Sequence, residues 1–204
     1  MTSSTSADST RDRIVTAAGA EFSRHGIAGA RIERIAKAAK TSKERLYAYF
    51  RSKEALYRFV AERELAAVAE ATRMDPTDLP EYAGRVHDYF MRHPDHFRLM
   101  NWGRLEFPGS GAAPDDPTHE TVRRKVEQLR TAQEAGHLDP AWDPIDILVF
   151  VNQIAMSWAG QLDLVQAAAD QVRDPSLAAR RAAIVAAVQR LFPATAGNAD
   201  TGSS

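Results

Sequence analysis

The sequence contains no cysteine, which excludes disulfides, a thiol nucleophile and any cysteine-ligated zinc or iron–sulfur centre. It has no apolar run near the ~18–20 residues of a membrane-spanning helix, so no membrane association is expected. Met1 to Thr10 is rich in serine and threonine and lacks the basic and apolar blocks of a secretory signal. The cytoplasm is the expected compartment. Sustained alternation of apolar and polar residues is missing, so strands are not expected. Catalytic signatures are missing as well: there is no Walker loop, G-x-S-x-G, H-E-x-x-H or dinucleotide fingerprint. Gly109-Ser110-Gly111 follows no strand and carries no phosphate-binding weight. Neither enzymatic activity nor a cofactor is expected.

What is present is ordinary globular composition: 204 residues, 44% hydrophobic and 26% charged. The charge is unevenly placed. The net of −1 hides 13 Lys/Arg against 8 Asp/Glu in residues 1–65 (+5), and 13 against 19 in the remainder (−6). A basic head on an acidic body is the electrostatic footprint of a polyanion binder, although scattered solvated faces produce such sums too.

Helical punctuation recurs along the chain. Asp116-Pro117, Asp143-Pro144 and Asp174-Pro175 each fit an N-cap carboxylate followed by proline at the first helical position. The spacing predicts helices near 9–25, 32–39, 42–50, 53–73, 79–92, 94–106, 117–136, 143–171 and 175–192. Residues 107–116 read as a Gly/Pro-rich loop, and 1–8 and 194–204 as disordered tails. The fold class expected is all-α. It comprises a helix-turn-helix head over 9–56, a fourth helix continuing to about 73, and a helical ligand-binding and dimerisation body over 74–193.

Within the head, Ile14, Ala17, Ala18 and Phe22 share one face of the first helix. Gly26 ends that helix in a left-handed position. The second helix buries Ile35, Ala36 and Ala39. Thr41-Ser42-Lys43-Glu44 matches a capping box, with Thr41 bonding the Glu44 amide. The third helix then has only Leu46 and Phe50 to offer a core. Its polar side chains remain free to meet something else. A helix joined by a tight turn to a second helix is the geometry that places the second in a DNA major groove, where its first turn reaches base edges. That turn carries Lys43 and Arg45, suited to guanine, and Glu44, suited to the cytosine amine. Tyr47, Tyr49 and Lys53 are candidate phosphate contacts, and Ser52 caps the fourth helix. The same features also fit a small helical packing motif with a charged surface.

These residues resemble the DNA-binding region of the TetR (tetracycline-repressor) family of bacterial transcriptional regulators. The resemblance rests on Ala17-Ala18 with Phe22, His25-Gly26, Ile35-Ala36 with Ala38-Ala39, the run Thr41 to Phe50, and Arg51 to Leu56. It implies that Lys43, Glu44 and Arg45 read bases. It further implies that Tyr47, Tyr49 and Lys53 touch phosphate, helped by Thr41 or Ser42. Two departures stand out. Lys40 occupies a turn position that is often glycine, and Ala30-Arg31 replaces the usual threonine or serine at the start of the second helix. Arg31 would then substitute a direct phosphate contact for the missing cap. Glu33 lies where some members also touch bases.

The resemblance further implies a double-stranded DNA operator, homodimerisation through the last two helices, and release by a small-molecule effector. Dimer candidates are Ile145 and Leu148 in the penultimate stripe and Leu177, Ile184, Val188 and Leu191 in the last. Each stripe fits the protomer's own core equally well. Tyr89, Phe97, Met100, Trp102, Met156 and Trp158 are candidate effector contacts in an apolar pocket, against the alternative of ordinary core. His87, His93 and His96 with Asp88 and Asp95 fit a structural role better than a metal site. The sequence leaves open a transcriptional activator using the same head, or a helical small-molecule binder without DNA reading.

Overall fold

The computed structural model describes residues 4–106, 117–167 and 170–193. Among them the helices are α1 (Ser4–Gly29), α2 (Ile32–Ala38), α3 (Lys43–Tyr49), α4 (Lys53–Ala71), α5 (Leu79–Arg92), α6 (Pro94–Glu106), α7 (Pro117–Glu134), α8 (Pro144–Met156), α9 (Leu162–Ala167) and α10 (Leu177–Leu191). No strand occurs among the described residues. The expected loop at 107–116, the Asp116 cap within it and the tail at 194–204 fall outside them. α1 begins at Ser4, so part of the expected N-terminal tail is helical.

The chain packs as two units, and the division is not linear. The first joins residues 1–67 with 93–118; the second joins 68–92 with 119–204. Residues 94–106, expected in the body, form α6 and pack along α1 of the first unit. Three contacts explain this. The Tyr57 hydroxyl donates to the Leu99 carbonyl at 2.9 Å, the Trp102 indole N–H to the Ser23 carbonyl at 3.3 Å, and the Glu106 carboxylate accepts from the Ile27 and Ala28 N–H groups at 2.8 and 2.7 Å. Burial, and secondarily the charge of Glu106, pushes the Tyr57 hydroxyl up to about 12, so it stays a neutral donor.

The core of the first unit is built from the predicted apolar faces. Ile14, Ala18, Phe22, Ile35, Leu46 and Leu56 have no exposed surface; each large side chain among them contributes about 1.5–3 kcal/mol of burial. Gly26 adopts φ 66, ψ −179, a region essentially reserved for glycine. The chain does not stop there as expected but kinks and completes another turn to Gly29, closed by the Ala30 N–H on the Gly26 carbonyl.

In the second unit, α5 packs between α8 and α10. Arg181 of α10 lies across α5 and donates to Asp88 at 2.9 Å and Glu81 at 2.7 Å. The guanidinium passes so close to Gly84 that a Cβ there would sit 2.7 Å from Nη2, so a side chain at this point would push the guanidinium aside. Asp143 caps α8 ahead of Pro144, accepting from the Ile145 N–H. The α10 cap differs from expectation: Ser176, not Asp174, accepts the helical N–H, and Asp174 instead braces the Ser176 N–H. The helix expected over 143–171 is broken after Met156 by turns at Ser157–Gly160. Periodicity runs through this segment, but Gly160 disfavours helix by about 1 kcal/mol relative to alanine.

Candidate nucleic-acid interface

α2 and α3 meet through a turn at Lys40, whose φ of 53 makes it the one positive-φ non-glycine among the described residues. The backbone there is what glycine would adopt freely, and a lysine holds it at a cost of about 1–2 kcal/mol. The turn is stabilised by the Thr41 N–H on the Ala36 carbonyl at 3.0 Å and by Arg13, whose Nε donates to the Ala39 carbonyl at 3.1 Å. The cap of α3 lies one residue later than expected. Ser42 accepts from the Arg45 N–H at 3.1 Å, whereas the Thr41 hydroxyl is buried without a hydrogen-bond partner. Glu44 does not reach back as in a capping box. Its own N–H, and then the Ser42 hydroxyl, hold its carboxyl below the usual range.

Leu46 is the one fully buried residue of α3, with Phe50 buried just beyond its end. Lys43, Glu44, Arg45 and Tyr47 are exposed, as is Ser42. Tyr49 is half-buried and packs against the head core. Lys43 is paired: its Nζ donates to Glu33 Oε1 of α2 at 2.6 Å. That contact, with the Glu33 backbone N–H second, lowers the Glu33 carboxyl, and the same bond raises Lys43. Both groups are therefore fully charged at neutral pH. Arg31, Lys37, Lys40 and Arg51 are exposed around the same helix–turn–helix.

No side chain caps the start of α2 at Ala30-Arg31, but a carboxylate from α1 holds the N-cap residue in place. Arg31 sits in the N-cap position without a side-chain cap, and Glu21 of α1 accepts its N–H at 3.0 Å while also accepting from Arg34 Nε at 2.6 Å. Lys53 donates to the Ala28 and Ala30 carbonyls at 3.2 and 3.3 Å, so it pins the α1–α2 corner. Ser52 accepts from the Ala55 N–H at 3.0 Å at the start of α4. Glu21, Arg13 and Glu106 were missed by sequence reasoning, and Trp102 was read only as an effector contact, because their partners lie 10 to 79 residues away.

The remaining candidates divide between the units. Of the effector set, Phe97, Met100 and Trp102 belong to the first and Tyr89, Met156 and Trp158 to the second. Trp102 packs against Gly26; Tyr89 and Met156 are buried; Arg180 stacks over Trp158 at 4.8 Å. Of the dimer set, Leu148, Ile184 and Val188 are buried in their own unit, and Ile145, Leu177 and Leu191 are exposed. Val149 and Phe150 of α8 are exposed with them. Among the histidines, His93 stacks on His96, which pairs with Glu64 at 2.9 Å. His87 is buried in the second unit, donating to the Ala155 carbonyl, with Nε2 unpartnered. No described helix is long and apolar enough to cross a membrane.

Comparison with known proteins places this geometry in context. Residues 14–60 match the model of bacterial regulatory proteins of the tetR family, and residues 78–190 match that of the tetracyclin repressor-like C-terminal domain. The solved structure of the SCO4942 protein of Streptomyces coelicolor is 60% identical with a TM-score of 0.83, covering 91% of this chain and 99% of that one. The HTH-type transcriptional repressor SCO4008 of the same species is 37% identical over 152 residues, 74% of this chain and 79% of its own length. The HTH-type transcriptional repressor NicS of Pseudomonas putida is 40% identical over 138 residues, 64% of each chain.

Proposed function

The chain belongs to the TetR family of bacterial transcriptional regulators, and from that premise we propose that it is a cytoplasmic, non-enzymatic repressor. It binds a palindromic operator as a homodimer and leaves it when a small molecule binds the body. The observation that carries the reading is the α2–α3 pair itself, where Leu46 is fully buried while Lys43, Glu44, Arg45 and Tyr47 are exposed beside it. Arg45 and Lys43 donate to guanine O6/N7, the commonest specific contact in the major groove. Arg31, Tyr47, Tyr49 and Lys53, with Ser42, serve the phosphates; the Thr41 hydroxyl is buried in the turn and does not. Lys53 and Tyr49 also have structural work at the corner and in the core.

Dimerisation uses the apolar side chains that the second unit leaves exposed: Ile145, Val149 and Phe150 on α8, and Leu177 and Leu191 on α10. Leu148, Ile184 and Val188 support that surface from beneath. Two α3 helices one DNA turn (~34 Å) apart then read two half-sites. An effector releases DNA only if it favours a head spacing that does not fit the operator, since a ligand shifts an equilibrium by its differential affinity alone. An apolar or aromatic effector suits the Tyr89, Met156 and Trp158 side chains. The test is a bound sequence with half a turn inserted between its half-sites. Affinity should collapse toward non-specific binding, and unchanged affinity would remove the dimeric reading.

A further inference from the structure

The Glu33–Lys43 pair links the two helices of the helix–turn–helix at its solvent face. Its N–O distance of 2.6 Å joins side chains that are 65% and 48% exposed. An exposed ion pair contributes little to stability, so holding the fold together does not account for it. What it does is fix a direction. A lysine is a flexible point charge with three donors, and here one donor is committed to Glu33, which leaves the other two aimed from a defined place at the start of α3. The pair also presents a donor and an acceptor side by side.

A G·C base pair shows the matching pattern in the major groove. Guanine N7 and O6 accept, and the adjacent cytosine N4 amine donates. An A·T pair offers its adenine amine and thymine O4 in a different order and adds a methyl group. Glu44, the acidic candidate on α3 itself, forms no ion pair with Lys43, whereas Glu33 does, so the donor and acceptor held side by side are Lys43 and Glu33. We infer that Glu33 and Lys43 act together as a composite reader of one G·C pair, Lys43 donating to guanine O6/N7 and Glu33 accepting from the cytosine amine. Glu33 is then a specificity-determining residue outside the recognition helix. This rests on the DNA-binding reading above, and it assigns to Glu33 a chemistry that a phosphate-facing residue cannot have, because a carboxylate is repelled by phosphate.

The experiment uses the full-length chain and the duplex it selects from a random library. Each G·C pair in one half-site is changed in turn to A·T, for the native protein and for Glu33→Gln and Lys43→Gln. Wild type should lose about tenfold or more at one position. Both variants should lose most of that discrimination at the same position while keeping it elsewhere. Arg45→Ala, by contrast, should relax a different position. Glu33→Gln tightening binding equally on every duplex would show that Glu33 is only a repulsive surface charge. No change in any ratio would show the pair to be an ornament of the free protein. Either result overturns the inference while native sequence-specific binding survives. Failure of the native protein to select any sequence would instead strike the DNA-binding reading on which the inference stands.

Discussion

Replacing Gly26 by alanine tests the corner that carries the DNA-facing helices. At φ 66, ψ −179 the backbone lies where side-chain-bearing residues are strained, at a cost of about 1–3 kcal/mol. The added Cβ would lie 2.6 Å from Glu106 Oε1 and 3.0 Å from the Trp102 ring. Neither neighbour can yield freely, because Glu106 accepts from the Ile27 and Ala28 N–H groups and Trp102 donates to Ser23. Hydrogen bonds to a charged group contribute about 1.5–3 kcal/mol each. The Ala28 N–H is exposed and recovers much of its bond from water, so losing one bond is the reasonable count. The sum is about 2.5–6 kcal/mol, a large share of the ~5–15 kcal/mol of a typical protein. Urea unfolding followed by circular dichroism should show the midpoint falling by ~1 M or more, given slopes of about 1–3 kcal/mol per molar. Gly19→Ala is the internal control. Its Cβ meets Val60 Cγ1 at an ordinary 3.6 Å, and mid-helix alanine should gain about 0.5–1 kcal/mol. A loss under about 1 kcal/mol for Gly26→Ala would refute the strain and the latch together.

The other predictions address the interface and the body. Lys40→Gly should raise stability by about 1–2 kcal/mol by relieving the φ of 53, while reducing the salt slope of DNA binding by about one unit if Lys40 meets phosphate; a fall in thermal midpoint would contradict the first half. Arg45→Ala should cost ~1–3 kcal/mol at one base position, and an equal loss on all sequences would make Arg45 a phosphate contact. Lys53→Ala should weaken binding evenly and flatten the salt slope by about one unit; an unchanged slope with a lowered midpoint would leave Lys53 as a support for the Ala28 and Ala30 carbonyls alone. His87 carries a pH signature. Burial, opposed by Asp88, holds its imidazole below the ordinary 6.5, so the unfolded chain binds the proton more readily than the folded one. Its contribution is complete above about pH 6.5 and is lost as pH falls toward the folded value. Thermal midpoints from pH 5 to 8 should therefore fall more steeply on the acid side for wild type than for His87→Gln. Parallel curves would show that His87 does not titrate in this way.

The helical fold and the head were legible because their signals are local. Ile14, Ala18 and Phe22 recur at helical spacing and are all buried, and the departure at Lys40 announced the strained turn that φ 53 shows. Offsets of one or two residues arose where two capping residues compete within a few positions: Ser42 rather than Thr41, and Ser176 rather than Asp174. Glu21, Glu106 and the bond from Trp102, expected only as an effector contact, to Ser23 could not be read, because a side chain that braces a distant helix end leaves no periodic trace around itself. The α10 stripe shows the limit of periodicity. Leu177, Ile184, Val188 and Leu191 look alike in sequence, but Ile184 and Val188 are covered by their own unit while Leu177 and Leu191 are not. The stripe says that a face is apolar, and only the packed structure says what part of it is already covered.

The central claim is that this head reads sequence. Selection of bound duplexes from a randomised library at stated salt, with affinities then measured by fluorescence anisotropy, tests it most directly. The expected result is a palindrome bound at about nanomolar strength, at least a thousandfold tighter than scrambled DNA. Weak, salt-sensitive binding with no recovered consensus would contradict it and reduce the basic head to a general polyanion surface.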